Sequence, residues 1–276
     1  MQPEVKGTPG RIAAKARRSI FQAFIAAHWR KGPKTIAVID GDGKAFDYQS
    51  LARAAFALSG PVCRMSAPGE KIGVMLPTGA GLLIAFLAIL APGRTPAMLN
   101  FTAGAKNLRA AAKAAEVTKI VTARKFIEVA GLERLVEELS PSIRFVYLED
   151  VKAGLTKLDK LRAAAGPYAS WLLASHPNPD DPGVILFTSG TEGDPKGVVL
   201  SHANIMANIE QISDHVKIEP TDIFFNPLPA FHCYGLTAGT LWPVLAGYRV
   251  ALHPSPLQTK IIPQRILETG ATVLFA

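Results

Sequence analysis

Four consecutive apolar residues, Val184-Ile185-Leu186-Phe187, run directly into a loop dense in Gly, Ser and Thr, so that residues 185–197 read ILFTSGTEGDPKG. A strand that empties into such a loop constrains this chain more than any other segment. Glycine lets the backbone approach an anion closely and aim several N–H groups at it. The Ser and Thr hydroxyls add donors, and Lys196 adds a full positive charge before a second apolar stretch begins. The composition suits polyphosphate. It matches neither common nucleotide fingerprint: a Walker A loop needs GxxxxGK[ST], whereas Pro195 stands five residues after Gly190, and no GxGxxG is present here.

The rest of the chain alternates strand and helix patterns. Thr35-Ile36-Ala37-Val38-Ile39-Asp40 and Phe46-Asp47-Tyr48 flank Gly41-Asp42-Gly43 and read as a β-hairpin. Helices are expected over 48–58 and 105–115 and through Leu132, Leu135, Val136 and Leu139; strands are expected over 120–122 and 145–148. Residues 150–181 carry a weaker pattern and end in the exposed linker His176-Pro177-Asn178-Pro179-Asp180-Asp181-Pro182. Beyond it come strands over 184–188, 222–226, 248–252 and 272–275, with helices over 202–213, 235–246 and 263–269. This alternation argues for an α/β fold of layered parallel-sheet sub-domains with helices on both faces. The expected division is a basic amphipathic linker helix in 1–34, a first α/β sub-domain in 35–175 and a second, incomplete one in 176–276 that carries the Gly-rich loop. The chain stops inside an apparent buried strand, Thr272-Val273-Leu274-Phe275-Ala276, and reads as a fragment of a longer protein.

Net charge is +8, and its distribution matters more than its size. The first 34 residues hold eight Lys/Arg and one acid, Glu4, while the remainder is close to neutral. No general nucleic-acid-binding surface is indicated, and no zinc-finger or RNA-binding signature is present. Residues 11–30 place Ile12, Ala16, Ile20, Ala23, Phe24 and Ala27 on one helical stripe, with Arg11, Lys15 and Arg18 on another face. Such a helix either meets a membrane surface or packs on the following domain with its basic face solvated, and the second reading is favoured. Residues 72–93 contain no charge, yet Pro77 and three glycines break the run, so strand–turn–helix is expected in place of a membrane span. The two cysteines, Cys63 and Cys233, fit no zinc or disulfide framework, in agreement with a reducing cytosol, and no signal peptide is visible.

The order strand, TSGT-x-G-x-PKG, strand resembles the phosphate-binding signature of the adenylate-forming (AMP-binding, acyl-CoA synthetase-like) superfamily, with ten consecutive positions, 188–197, in agreement. About thirty residues on, Asn226-Pro227-Leu228-Pro229-Ala230-Phe231-His232-Cys233-Tyr234-Gly235-Leu236 resembles that family's LPxFHxxGL segment. The segments Pro96-Ala97-Met98-Leu99-Asn100-Phe101-Thr102-Ala103-Gly104, Val146-Tyr147-Leu148-Glu149-Asp150 and Pro254-Ser255-Pro256-Leu257 look like the acyl–acyl-carrier-protein synthetase part of bacterial bifunctional 2-acylglycerophosphoethanolamine acyltransferase / acyl-ACP synthetases. Those proteins carry a phospholipid acyltransferase domain with an H-x4-D motif. The one such spacing here, His176 to Asp181, lies in the Pro-rich linker and is rejected as catalytic.

The resemblance implies ATP- and Mg²⁺-dependent activation of a fatty acid as acyl-adenylate, then transfer to the thiol of acyl carrier protein. Coenzyme A as acceptor and a non-catalytic membrane-surface module are the alternatives. Thr188, Ser189, Gly190, Thr191, Glu192, Gly193 and Lys196 would bind the leaving phosphates. Phe231, His232 and Gly235 would border the carboxylate and shape its pocket. Glu192 stands where many relatives have Thr or Ser, and a carboxylate beside phosphate is unfavourable unless a cation lies between. The family's adenine segment, Mg²⁺-binding Glu, ribose-binding Asp and mobile C-terminal domain with its catalytic Lys are not in this chain, so it is expected to be inactive alone. A cytoplasmic setting, with association at the inner membrane through residues 11–30, is the corresponding expectation.

Overall fold

The structure, a computed structural model, describes residues 16–188 and 195–276. Its strands are β1 (Ile36–Ile39), β2 (Ala45–Asp47), β3 (Lys71–Val74), β4 (Thr95–Met98), β5 (Lys119–Thr122), β6 (Arg144–Tyr147), β7 (Pro182–Thr188), β8 (Lys196–Ser201), β9 (Ile223–Asn226), β10 (Arg249–Leu252) and β11 (Val273–Leu274). They form a six-stranded sheet in the order β6-β5-β3-β4-β7-β8 and a five-stranded sheet in the order β11-β9-β10-β1-β2. All neighbours are parallel except two pairs, β1–β2 and β7–β8, which are antiparallel. The expected α/β class with helices on both faces is what the chain adopts.

Side chains on a strand alternate between faces, and here the two faces serve two cores. Val184 and Leu186 on β7, Met98 on β4 and Val121 on β5 join the larger cluster, together with Val38, Phe224 and Val250 of the five-stranded sheet. Ile185, Ala97 and Ile120, one residue out of phase, join a second cluster under the helices Gly104–Ala114 and Glu133–Leu139. The larger core therefore runs from one sheet to the other. The helix Ala80–Leu90 is apolar all round and almost wholly buried, as a helix inside the molecule must be. Among the described residues no helix is long and apolar enough to cross a membrane, and residues 72–93 are the expected strand, turn and helix.

Strand pairing crosses residues 175/176: β7 pairs with β4, and β1 pairs with β10. Apolar strands seek whichever neighbour completes a buried ladder, and the hairpin at the start of the chain finds its own near the end. The amphipathic helix begins at Ile20, where Ser19 and Gln22 form a reciprocal capping box; residues 11–15, including Ile12, Arg11 and Lys15, lie outside the described residues. Ile20, Ala23, Phe24 and Ala27 are buried in the main core, and Phe24 packs on Tyr48. These four positions of the stripe thus pack on the domain. Arg18 pairs with Glu210 at 3.4 Å.

The helix expected over 48–58 continues to Met65 through Ser59-Gly60-Pro61. Its last turn is held by Arg64, which forks onto both oxygens of Asp159 at 2.8 Å each. The weak stretch 150–181 contains the short helices Leu148–Ala153, Lys157–Ala165 and Ser170–Leu173. The single helix expected over 235–246 is three pieces: Cys233–Leu236, a π-helical Thr237–Leu241, and Trp242–Ala246. The Gly235 carbonyl accepts from Asn226 Nδ2 at 3.2 Å and from Thr240 Oγ1 at 2.8 Å. Side-chain donors inserted into a helical ladder widen the turn.

Candidate functional site

The Gly-rich loop leaves and re-enters the edge of the six-stranded sheet. Thr188 and Lys196 are register partners at the end of the antiparallel β7–β8 pair, and both are exposed. Ser189, Gly190, Thr191, Glu192 and Gly193 lie outside the described residues. Leu186, Phe187, Thr188 and Pro195 line one wall of a cleft of ≈ 580 Å³. Asn100, Asn107 and Leu108 line another, and His232 and Cys233 complete it. The two motifs, distant in sequence, thus share one cavity.

The segment 226–236 reaches that cavity by a defined path. Asn226 ends β9 fully buried; its Oδ1 accepts from Leu228 N–H at 3.0 Å, and its amide donates to Gly235 O and Thr240 Oγ1, each at 3.2 Å. The chain then turns through Pro227 and Pro229, and His232 N–H donates to Pro229 O at 3.1 Å. His232 is exposed and heads the short helix Cys233–Leu236. The Phe231 ring lies beside it, with centroids 4.7 Å apart. It is buried, edge-on to Phe101 with ring centroids 5.1 Å apart, and Phe101 is edge-on to Phe126 at 4.9 Å. Gly235 is buried beneath the turn, where a Cβ would collide with the Pro229 carbonyl oxygen. Of the three residues expected to shape the pocket, His232 lines the cleft, while Phe231 and Gly235 support it from behind.

Sequence reading missed the asparagines. Asn100 belongs to the segment 96–104, where the sequence attaches no role to it. Its Oδ1 accepts from Thr102 N–H at 3.0 Å and Oγ1 at 2.7 Å, the signature of an Asx turn that starts the wall of the cleft. Asn107 donates to Ala103 O at 3.0 Å. An Asn after a short strand was the available signal.

Two further polar groups brace the surroundings. Asp40 directly follows β1, and its Oδ1 accepts from Gly41 N–H at 3.0 Å and from Ala80 N–H at 3.2 Å, at the start of the helix Ala80–Leu90. Burial raises its pKa above the ordinary carboxylate value, against the pull of those two N–H bonds. His202 begins the helix after β8, and its Nδ1 accepts from Ile20 N–H at 3.3 Å. Burial pushes its pKa down to about 4, with nearby Asp181 acting weakly in the opposite direction. His176 and Asp181 make no dyad: the His176 ring nitrogens meet Gln22 Nε2 and Trp171 O, and Asp181 accepts from Asn178 N–H. Among the described residues no grouping of three or more His, Cys, Asp or Glu could hold a metal ion.

Comparison with known proteins sets these features in a wider group. A family model described as "AMP-binding enzyme" matches residues 25–276. A "CoA ligase" of Gibberella moniliformis is 30% identical over 240 residues, covering 83% of this chain and 37% of the relative. The "Medium-chain fatty-acid--CoA ligase" of Escherichia coli is 27% identical over 250 residues, covering 88% of this chain and 44% of the relative. Among solved structures, the inhibitor-bound N-terminal domain of FACL13 from Mycobacterium tuberculosis superimposes with a TM-score of 0.77 at 16% identity, over 94% of this chain and 63% of that one. The chain spans less than half the length of the two curated relatives.

Proposed function

The chain belongs to the AMP-binding enzyme family, and from that premise we propose that it is the N-terminal portion of an ATP-dependent ligase that activates a fatty acid as acyl-adenylate. One observation carries the reading: Thr188, where the Gly-rich loop begins, and His232, in the second motif, line the same cleft. In the first step a carboxylate oxygen bonds to the α-phosphorus of ATP as the α–β phosphoanhydride breaks, and pyrophosphate leaves. In the second a thiol displaces AMP and forms a thioester. No protein nucleophile is needed, so the residues act by placement and charge stabilisation.

Thr188, Ser189, Gly190, Thr191, Gly193 and Lys196 are assigned to the departing phosphates, with Lys196 as their cation. A carboxylate at position 192 is compatible with bound phosphate only where a cation or solvent offsets its charge. His232 borders the carboxylate, and Phe231 and Gly235 fix the floor on which His232 stands. Mg²⁺ is assigned to the nucleotide phosphates, in keeping with its habit of retaining water and substrate oxygens. The described residues build no cage for it.

Two thiol acceptors are separable. The segments at 96–104, 146–150 and 254–257 support acyl carrier protein, in a lysophospholipid-reacylation setting. The names of the curated relatives, a CoA ligase and a fatty-acid–CoA ligase, support coenzyme A. The deciding experiment is fatty-acid-dependent ATP–pyrophosphate exchange by the complete protein, followed by thioester formation with each acceptor in turn. Exchange with acyl transfer to carrier protein alone selects the first. Transfer to coenzyme A selects the second. Absence of exchange across a range of chain lengths would remove fatty-acid activation altogether.

A further inference from the structure

The segment that leads to His232 is tied down from a distant part of the chain. Thr78 lies in the turn between β3 and the helix Ala80–Leu90 and is 3% exposed. Its Oγ1 donates to the Leu228 carbonyl at 3.0 Å and accepts from Ala230 N–H at 2.9 Å. One hydroxyl thus holds both ends of the segment 228–230, using its proton and a lone pair together. Ala230 is 1% exposed, so its N–H is far from water and depends on this partner. Thr78 follows a strand of the six-stranded sheet, while the segment it grips follows β9 of the five-stranded sheet. The hydroxyl is therefore a clamp between the two sheets, placed just before His232.

The same segment is fixed at two other points. Asn226 Oδ1 holds Leu228 N–H from one side, and Phe101 meets the ring of Phe231 from the other. Neither of these restrains the Ala230 N–H or the Leu228 carbonyl. A residue there for packing alone would need only the threonine methyl, whereas both hydrogen-bonding capacities of the hydroxyl are in use.

We propose that Thr78 is a positioning residue for the carboxylic acid substrate: by clamping 228–230 it sets where His232 stands in the cleft, and so governs affinity for the acid but not for the nucleotide. The inference rests on the acid-activating reading above. The β7–β8 end, assigned to phosphate, makes none of these contacts, so the effect should fall on one substrate.

The test uses the complete protein and pyrophosphate exchange, with rates normalised to folded protein. Thr78→Val keeps the shape and removes both bonds; we expect the KM for the fatty acid to rise about tenfold, towards the low end for the loss of two buried hydrogen bonds, with the KM for ATP unchanged. Thr78→Ser keeps the hydroxyl and should restore most of the loss. Equal rises in both KM values, an unchanged acid KM, or a Ser variant no better than Val would overturn the proposal. If the Val variant does not accumulate as folded protein, Thr78→Cys, a weak donor and acceptor, takes its place and the same split decides. A wild-type protein without exchange removes the acid-activating reading and this inference with it; an active wild type with an unaffected Val variant removes the inference alone.

Discussion

Thr188 and Lys196 stand opposite each other as the last register pair of the β7–β8 ladder. The hydroxyl and the ammonium are thus carried on neighbouring strands of one sheet edge. Lys196→Ala in the complete protein is expected to lower pyrophosphate exchange by about a hundredfold or more, the scale of losing one charge-stabilising group at a reacting centre. Because Lys196 is exposed, its melting temperature should stay close to that of the wild type. An exchange rate within twofold of wild type would remove Lys196 from the phosphate site.

His202 makes stability depend on pH in a defined window. Its pKa is about 4 in the folded chain, against an ordinary histidine value of 6.5, so between those values the unfolded state binds the extra proton. Stability is complete above about pH 6.5 and falls as pH drops through 4, by about 3 kcal/mol in all for a shift of this size. His202→Phe should flatten that part of a stability–pH curve, at the cost of the bond from Ile20 N–H. Urea titrations at pH 7, 6, 5 and 4 would show it, and a parallel slope in both proteins would exclude His202 as its source.

The Arg64–Asp159 fork closes the helix Tyr48–Met65 onto the helix Lys157–Ala165, and Asp159 also caps the latter through Thr156. Asp159 is 1% exposed while the Arg64 side chain is 50% exposed. Removing the carboxylate leaves a guanidinium that can turn to water, so Asp159→Asn should cost about 2 kcal/mol, less than a fully buried pair would. The Arg64 guanidinium and the Thr156 donors hold the Asp159 carboxyl well below the usual carboxylate range. Its contribution is therefore intact above the unfolded carboxylate pKa, about 3.9, and is lost as pH falls below it. Chemical denaturation at pH 7 and pH 3 should show a difference between wild type and Asp159→Asn that shrinks at the lower pH.

Gly235 has no room for a side chain. Gly235→Ala would drive a methyl into the Pro229 carbonyl, and overpacking of this kind costs about 1–3 kcal/mol. The displaced turn carries His232, so a KM increase for the acid should accompany the loss of stability. A variant as stable and as active as wild type would contradict the packing described.

The motifs of the candidate site were legible because they are local. A buried strand running into Gly, Ser, Thr and Lys states its chemistry within a few residues, and so does Phe231-His232 before Gly235. The strands were legible for a related reason: runs such as Phe224-Phe225 and Val250-Ala251-Leu252 are buried on both faces. What could not be read depends on partners far away in sequence. Thr78 looked like one residue of a turn, and its role follows from residues 150 positions on. The helix expected over 48–58 runs on through Gly60 and Pro61, and the space beside Gly60 is where the Asp159 carboxylate lies. The helices after residue 156 were obscured because Leu158, Leu161, Trp171 and Leu172 face outward, which spoils the apolar periodicity on which helix reading relies.

The pairing of Val38 with Val250 carries a consequence for how the protein is made. A ribosome adds on the order of 5–20 residues per second, so β1 waits roughly ten seconds or more for the strand beside which it will lie. Throughout that interval the hairpin and the apolar side of the helix Ile20–Lys31, whose Arg30 bonds to the Leu245 carbonyl, have no finished surface to settle on. The six-stranded sheet can assemble almost entirely from chain already synthesised. During synthesis the six-stranded sheet is thus expected to form first, with residues 20–47 settling only once 249–252 have emerged, which makes that earlier segment the natural client of a chaperone.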